Sequence, residues 1–219
     1  MKVLLFGATG MVGQSVLREC LLDPEVEQVL AVGRSETSKS DPKLTQIVHS
    51  NLLDLSAIET QLSGYDACLF CLGVSSAGMT EEKYRAITYD LTLSVANTLV
   101  RLNPGMTFIY VTGSGTDSTE QGRSMWARVK GKTENDLLKL PFKGAYMFRP
   151  AAIIPKHGIR SRTGWYMLLY AFIRPFAPLL ERAFKSSVTT SDQLGRAMLK
   201  VAKHGYSKPH IESREINQI

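Results

Sequence analysis

The sequence has few cysteines and no long hydrophobic run. Its 219 residues include three cysteines, and the odd number gives no sign of a disulfide framework. The apolar run after Lys2 is short and leads into glycines, so we expect no secretory signal. These features predict a cytoplasmic protein. The longest apolar segment, residues 165–173, ends at Arg174 and falls short of the ~18 residues that a membrane span needs.

The sequence also lacks internal repeats and any nucleic-acid-binding motif. Its net charge is +6, but the basic residues are scattered rather than arranged in a stripe. An anionic cofactor or substrate accounts better for this charge than a nucleic acid does. Contact between a membrane surface and the basic segment 156–162 is a minor alternative. We therefore expect a small-molecule substrate, no nucleic-acid partner, no metal site, and a monomer or homodimer.

The sequence does contain a glycine-rich turn directly after an apolar strand. Gly7 allows the tight turn, Gly10 lets a pyrophosphate approach the backbone, and Gly13 lets the following helix pack closely on the sheet. The first N–H groups of that helix and its positive dipole end favour phosphates. The pattern predicts a dinucleotide site. The predicted cofactor-binding residues of the turn are Gly7, Thr9, Gly10, Met11, Val12 and Gly13.

Apolar strand-like runs alternate with helical patterns along most of the chain, which predicts an α/β fold with a Rossmann-type doubly wound parallel sheet. The predicted strands are 2–6, 27–33, 45–48, 66–72, 106–112 and 144–149. The predicted helices are 11–22, 56–62, 80–101, 121–139, 163–181 and 190–204. We expect a dinucleotide-binding core at 1–150. Residues 151–219 are expected to form a small C-terminal lid and the closing elements of the same domain.

The residue after the second strand indicates which dinucleotide binds. An NAD-binding unit places an Asp or Glu roughly twenty residues after the glycine turn, where it binds the ribose 2′-OH. Here Gly33 is followed by Arg34, whose guanidinium suits a 2′-phosphate. A charge-assisted hydrogen bond of about 1.5–3 kcal/mol favours NADP over NAD by a factor on the order of tens to hundreds. The alternative is an exposed loop arginine.

Two further strand ends offer cofactor contacts. Asp54 is placed to accept from an adenine amino group, with Leu55 against the ring, although Asp54 is also a good helix cap. Gly73 lets a cofactor approach the backbone at the end of the fourth strand. The predicted cofactor-binding residues there are Cys71, Leu72 and Gly73.

Cys68 and Cys71 have the spacing of a redox or metal motif. Residues three apart on a strand point to opposite faces, so the two thiols should not meet. We therefore interpret both as buried core cysteines.

The chain resembles the atypical, extended-like branch of the short-chain dehydrogenase/reductase superfamily. This branch holds NAD(P)-binding epimerase/dehydratase-like proteins, including the Tat-interacting oxidoreductase-like group. The resemblance covers residues 1 to about 205. Its carriers are the glycine turn, Asp54-Leu55, Ser114, Lys130 with Glu134, and the segment from Arg149 to Ile153.

The resemblance implies roles for several residues. Ser114 would bind the substrate carbonyl or hydroxyl oxygen, and Lys130 would bind the nicotinamide ribose and lower the pKa of a catalytic tyrosine. Residues 188–192 would form the short strand and helix start that close the substrate side. The residues expected to line the nicotinamide are Pro150, Ala151 and Ile153.

One catalytic position departs from the family. The tyrosine should stand four residues before Lys130, and this chain has Trp126, whose indole N–H donates a hydrogen bond but does not titrate usefully. General acid–base catalysis typically contributes about 10²–10⁴-fold. Three explanations remain open: Tyr84, Tyr89 or a water supplies the proton; the enzyme is slow; or the protein binds NADP(H) without turnover.

The sequence therefore supports two functions. The first is an NADP-dependent oxidoreductase, for which NAD is a weaker alternative, acting on a small carbonyl or hydroxyl compound. The apolar segment 165–173 favours an apolar substrate, although a core helix or a dimer contact explains it equally well. The second is a non-catalytic NADP(H)-binding regulatory or scaffold protein.

Overall fold

A computed structural model describes residues 1–159 and 187–219. The predicted helix at 163–181, with its apolar segment 165–173, lies outside the described residues. The strands are β1 (Lys2–Phe6), β2 (Gln28–Gly33), β3 (Leu44–Val48), β4 (Ala67–Phe70), β5 (Thr107–Val111), β6 (Gly144–Arg149), β7 (Ala152–Ile154), β8 (Val188–Thr190) and β9 (His210–Glu212). The helices are α1 (Met11–Leu22), α2 (Glu81–Arg85), α3 (Leu91–Leu102), α4 (Met125–Leu137), α5 (Ser191–His204) and α6 (Ser213–Ile216), with a 3-10 helix at Ser56–Gln61 and a π-helical turn at Ala86–Asp90.

The main sheet has seven strands in the order β3-β2-β1-β4-β5-β6-β9, and all of its pairs are parallel. β7 and β8 form a separate parallel pair. The prediction of a Rossmann-type parallel sheet is confirmed. The chain moves outward from β1 through β2 to β3 and then returns to β4 on the other side of β1. This reversal creates the crevice where open α/β sheets bind ligands.

Helices cover both faces of the sheet, so the central strands are apolar on both sides. Along β1, Val3 and Leu5 belong to one buried cluster and Leu4 and Phe6 to the other, as the two-residue period of a strand requires. The first cluster includes buried residues of α1 and α5. The second includes residues of α3, of the 3-10 helix and of the end of α4.

The two thiols lie on opposite faces of the sheet as expected, but the interpretation of both as buried holds only for Cys68, because Cys71 is partly buried. Cys68 is buried in the second cluster, whereas Cys71 packs against the first, on the Cys20 side. All three thiols are free. In the part of the chain that the structure describes, no group of three or more His, Cys, Asp or Glu side chains is arranged to hold a metal ion. Over the same residues, no helix has the length and hydropathy that a membrane crossing needs.

Helix boundaries differ from the predictions where side chains hold the backbone in turns. The helix predicted from residue 121 begins at Met125. Asp117 Oδ2 accepts from Gly122 N at 2.6 Å, and Arg128 donates to Gly122 O at 2.7 Å. Both bonds hold Gly122 in a turn. The helix predicted over 80–101 contains the π-helical turn, and the one over 56–62 is a 3-10 helix.

The last long helix has local signals at both ends and lies close to its predicted bounds of 190–204. Thr190 caps α5 by accepting from Gln193 N at 3.3 Å. Gly205 follows its last residue with φ +72°. By contrast, β7, β9 and α6 were not predicted as elements. Each has three or four residues, too few for a hydrophobic period to show. β8 is the short strand that the resemblance implied within residues 188–192.

Phe70 packs in the centre of the second cluster, and its substitution tests the importance of that core. The Phe70 ring centroid lies 5.6 to 5.9 Å from those of Phe6, Phe108 and Tyr110, and its side chain is fully buried. We expect Phe70→Ala to lower the free energy of unfolding by about 3–5 kcal/mol. Urea denaturation measures the change. Leu22→Ala is the control, since Leu22 is 61% exposed and should change stability by less than about 0.5 kcal/mol. Equal losses of unfolding free energy in the two variants would contradict the central place of Phe70 in the second cluster.

Candidate functional site

The ends of the parallel strands bring distant residues to one edge of the sheet. Phe6 pairs with Phe70, Phe70 with Tyr110, and Val111 with Phe148. The segments that follow β1, β4, β5 and β6 therefore emerge side by side. The glycine turn, residues 71–73, residues 112–114 and residues 149–153 meet at this edge, which is the candidate site.

Gly7 and Gly13 allow a close backbone contact at the start of α1. Gly7 has φ +83°, and a Cβ built on it would lie 2.6 Å from Leu72 N. A Cβ on Gly13 would lie 2.0 Å from Gly7 O. Both distances are far below van der Waals contact, so a side chain at either position would force the backbone apart. The absence of a side chain at Gly7 thus lets the loops after β1 and β4 contact each other. The absence of one at Gly13 lets α1 pack against the turn after β1.

Gly10 meets no such obstacle among the residues that the structure describes. A Cβ on Gly10 would lie 3.4 Å from Gly7 O, with no other atom of residues 1–159 and 187–219 outside its own turn within 4 Å. Gly10 is the N-cap of α1 and offers no side-chain cap. The free space and the uncapped helix start fit a pyrophosphate. Met11 and Val12, in the first turn, are partly exposed, and Thr9 O is held by Gln14 Nε2 at 3.0 Å.

Arg34 follows β2 directly and is exposed. It has no ion pair within residues 1–159 and 187–219, and the loop behind it is held in place. Gln46 Oε1, on β3, accepts from Thr37 N at 2.7 Å and from Thr37 Oγ1 at 3.0 Å. The Arg34 guanidinium is therefore available to an anion at the β2 end of the edge.

Asp54 and Leu55 lie in the loop that follows β3. Asp54 Oδ1 accepts from Ser56 N at 2.9 Å, and hydrogen bonds to Ser56 lower the pKa of this carboxyl. His49 Nε2 donates to Asp54 O at 2.7 Å. Leu55 is 3% exposed within the second cluster, so it presents little surface to an adenine ring. The adenine contacts of both residues stay predictions.

The loop after β4 runs from the core to the open edge. Cys71 and Leu72 are partly buried against the first and second clusters respectively. Cys71 N donates to Phe6 O at 2.9 Å, which continues the pairing with β1. Gly73 is exposed, and a Cβ on it would meet no atom of the described part of the chain within 4 Å. A ligand therefore has room to approach this backbone.

The loops after β5 and β6 are bonded to each other. Ser114 N donates to Pro150 O at 2.9 Å, while the Ser114 residue is exposed. Pro150 is buried, and Ala151 is exposed with its N–H donating to Ser213 Oγ at 2.5 Å. Ile153 packs partly against the first cluster. Ser114 and the residues predicted to line the nicotinamide thus form one connected wall.

Helix α4 presents Trp126 and Lys130 on one face, one turn apart. A Cβ built on Gly115 would lie 3.6 Å from Cη2 of Trp126, so the indole lies beside the Ser114 loop. Lys130 Nζ donates to Thr112 O at 2.6 Å. Desolvation lowers the pKa of Lys130 to about 8, partly offset by Glu134.

A buried ionic network lies one turn further along α4. Glu134 is fully buried and pairs with Arg149, whose Nε lies 3.1 Å from both carboxylate oxygens. Thr112 Oγ1 donates to Glu134 Oε1 at 2.6 Å. His210 Nε2 lies 3.5 Å from Glu134 Oε2. The network joins α4, β5, β6 and β9 beneath Lys130.

The sequence indicated only part of this network. Glu134 and Arg149 were noted as carriers of the resemblance, but His210 and Glu212 were not. Glu212 accepts from Arg149 at 3.2 Å and is half-exposed. Both missed residues stand on β9, and their short strand carries no period that could have identified them.

Packing within the fold engages both tyrosines suggested as replacement proton donors. Tyr84 is 1% exposed in the core, and burial raises its pKa. Tyr89 Oη donates to Asp136 Oδ2 at 2.7 Å. Asp136 projects from α4 six residues after Lys130, on a different face. Both side chains are therefore engaged within the fold, and the suggestion that Tyr84, Tyr89 or a water supplies the proton stays a prediction.

Comparison with known proteins gives a family match. The model of the NAD dependent epimerase/dehydratase family matches residues 3–122, more than half of the chain. Among solved structures, the Bordetella bronchiseptica enzyme WbmF in complex with NAD+ has a TM-score of 0.66 at 13% identity, covering 99% of this chain and 76% of that one. This likeness shows the fold.

Curated relatives come from fungi. "Protein FMP52, mitochondrial" of Candida albicans is 24% identical over 158 residues, which cover 70% of this chain and 68% of that protein. The protein of the same name in Emericella nidulans is 28% identical over 162 residues, covering 69% and 66%. The matches span about two thirds of these relatives. Their names contradict the predicted cytoplasmic location, because both are called mitochondrial.

The glycine turn generates a prediction with an internal control. We expect Gly13→Ala to lower the free energy of unfolding by about 3 kcal/mol, because its Cβ overlaps the Gly7 carbonyl. Gly10→Ala should fold normally but bind dinucleotide at least tenfold more weakly, because the methyl group occupies the ligand's space. Urea denaturation and calorimetric titration measure the two effects. Normal dinucleotide affinity in a folded Gly10→Ala protein would contradict the assigned role of Gly10.

The buried network generates a second prediction. Glu134→Gln removes the carboxylate charge and leaves Arg149 without its buried partner, so we expect a loss of about 3 kcal/mol in unfolding free energy. Glu81→Gln is the matched control, since Glu81 pairs with Arg128 at 2.7 Å on the surface and should cost less than about 1 kcal/mol. Chemical denaturation of both variants checks the difference. Similar losses of unfolding free energy in both variants would mean that the buried pair stabilises the fold no more than the surface pair does.

Proposed function

Because the chain belongs to the NAD dependent epimerase/dehydratase family, we propose that it is an NADP-dependent oxidoreductase acting on a small, apolar carbonyl or hydroxyl compound. One observation carries the proposal. The uncapped start of α1 and the open space at Gly10 adjoin the same sheet edge as Ser114 and Lys130. A dinucleotide on the glycine turn would thus extend toward groups that can bind a reacting oxygen.

Different residues at this edge of the sheet would bind different parts of the dinucleotide. The glycine turn and the start of α1 would hold the pyrophosphate, Asp54 would bind the adenine, and residues 71–73 would contact the ribose–phosphate part. Lys130 would bind the nicotinamide ribose, and residues 150–153 would contact the ring. When bound, the nicotinamide supplies or accepts a hydride. WbmF, which shares this fold, was solved in complex with NAD+, and this supports the proposal that the chain binds a dinucleotide.

Arg34 favours NADP over NAD in this proposal. Its guanidinium is exposed at the end of β2, the position at which an NAD-binding unit has an acidic residue. A planar guanidinium binds a phosphate through two parallel hydrogen bonds. Exposure to solvent weakens each of these hydrogen bonds. We therefore expect the affinity for NADP to exceed that for NAD by a factor on the order of tens rather than thousands.

Ser114 binds the substrate oxygen, and the wall around it limits the space. The bond from Ser114 N to Pro150 O fixes the backbone from which the Ser114 hydroxyl would reach a substrate. An apolar substrate is favoured by the composition of residues 165–173, which follow the nicotinamide-lining segment in the chain.

A second candidate is a regulatory or scaffold protein that binds NADP(H) without turnover. The specific observation is that Trp126 replaces the family tyrosine while Tyr84 and Tyr89 are engaged elsewhere. Both candidates require dinucleotide binding at the same residues. They differ in whether any group at the edge transfers a proton.

Calorimetric titration with NADPH and NADH tests the proposed cofactor. We expect NADPH to bind at least tenfold more tightly, and Arg34→Ala to remove most of that preference because the 2′-phosphate loses its cation. Lys39→Ala, a charge removal in the same loop, is the control and should leave both affinities unchanged. Equal affinities in the wild type would refute the NADP preference, and absence of binding to either would refute the proposed function.

A further inference from the structure

The candidate site lacks the tyrosine that would transfer a proton, and within residues 1–159 and 187–219 the structure places a titratable lysine there instead. Trp126 does not titrate usefully, and the two nearby tyrosines are engaged elsewhere. Ser114 has a hydroxyl that orients an oxygen but remains protonated at ordinary pH. Lys130 is a titratable side chain on the same face of α4 as Trp126, one turn away.

We propose that Lys130 is itself the proton donor and acceptor of the reaction, taking the role left open where Trp126 replaces a tyrosine. This inference rests on the proposed function, because it assumes that a nicotinamide and a carbonyl or hydroxyl compound meet at the edge. It assigns a catalytic role to the amine in addition to ribose binding.

The position of the amine supports this role. Lys130 Nζ donates to Thr112 O at 2.6 Å, and Thr112 stands two residues before Ser114 on the same strand end. An ammonium has three donors, so two remain for a ribose hydroxyl and a substrate oxygen. The bond to Thr112 O keeps the flexible side chain at the edge, whichever protonation state it has.

The charges around Lys130 explain why the amine gives up its proton readily. Glu134 is the carboxylate nearest along its helix, but Arg149 neutralises it through two hydrogen bonds from Nε and a contact from the terminal nitrogen. In the described part of the chain Lys130 has no ion pair of its own. The charged and titratable groups around this network are Glu134 on α4, Tyr110 on β5, Arg149 on β6, and His210 and Glu212 on β9.

Desolvation therefore dominates over charge pairing at this amine. It lowers the pKa of Lys130 from 10.5 to about 8. An acid–base group works best when its pKa lies near the operating pH. By contrast, Lys132 on the same helix pairs with Asp136 at 3.0 Å, and that hydrogen bond raises its pKa.

The proposed reduction balances in atoms and electrons. With reduced nicotinamide bound, the new C–H bond at the carbonyl carbon would form from the electron pair of a transferred hydride, and the nicotinamide would be left oxidised. The π pair of the carbonyl moves to oxygen and takes a proton from the Lys130 ammonium, which forms the O–H bond. Lys130 is left as a neutral amine and regains a proton from solvent. Oxidation of an alcohol runs the same transfers in reverse.

This chemistry fixes the sign of the pH dependence. Reduction needs the protonated amine, so its rate should be constant below pH 8 and fall above it. Oxidation needs the neutral amine, so its rate should rise through pH 8 to a plateau. A lysine with its ordinary pKa would move both midpoints above pH 10.

Carbon-13 NMR of protein labelled at the lysine ε-carbon measures the titration without any substrate. Lys130→Arg removes one resonance and thereby assigns it, and Lys132→Met assigns the matched control. We expect a midpoint near pH 8 for Lys130 and one above 10.5 for Lys132. A Lys130 midpoint above 10, in the free protein and with NADPH bound, would overturn the inference.

Kinetics with NADPH and a panel of aliphatic and aromatic aldehydes and ketones provides the second readout. Arginine retains a donor for the ribose but does not release its proton, so Lys130→Arg should lower kcat by about 10²–10⁴-fold and change the NADPH affinity less than fivefold. Lys132→Met should leave kcat unchanged. Undiminished kcat in Lys130→Arg would overturn the inference.

The two proposals fail in distinguishable ways. Absence of NADPH and NADH binding by calorimetry would refute the proposed function itself. Normal NADPH binding without reduction of any panel member would leave the cofactor site in place, overturn the role of Lys130 and favour the regulatory candidate. Reduction with a rate that falls through pH 8, and that Lys130→Arg abolishes, would support both proposals and refute the regulatory candidate.

Discussion

The backbone contact between Gly13 and Gly7 is the constraint on which the candidate site depends. It brings the first turn of α1 down onto the end of β1, where a Cβ on Gly13 would lie 2.0 Å from the Gly7 carbonyl. The helix start then points its unpaired N–H groups across the reversal of the sheet, between β1 and β4. With any side chain at residue 13, the helix would move outward and the dipole would no longer face the crevice. The dinucleotide proposal therefore follows from a steric condition on two backbones.

A second constraint acts on the opposite side of the crevice. The buried Glu134–Arg149 pair joins α4 to β6, and Thr112 and His210 extend it to β5 and β9. Burying such a pair costs desolvation, which good geometry and further hydrogen bonds offset. The pair has two consequences for the site. It holds helix α4 where Lys130 donates to Thr112 O, and Arg149 neutralises most of the charge of Glu134.

The parts of the fold that were predicted from the sequence have local causes. β1 and α1 were predicted at their observed bounds, because an apolar run, three glycines and Asp23-Pro24 mark each boundary within a few residues. α5 was predicted within one residue, since Thr190 and Gly205 terminate it. The segment 121–124 was wrongly assigned to a helix because its turn depends on Asp117 and Arg128 side chains. β9 was missed because Ile211 alone gives no period, and its strand exists through pairing with β6.

The sequence by itself determined the ligand class, since Gly7, Gly10 and Gly13 act through the absence of side chains, a property that is visible without coordinates. It also determined that Trp126 stands where a tyrosine was expected. Only the tertiary structure decided which groups surround that position. It buried Tyr84, engaged Tyr89 with Asp136, and placed Lys130 beside Thr112 O with a neutralised carboxylate nearby. Desolvation and charge pairing depend on distances between residues far apart in the chain, and the fold alone sets those distances.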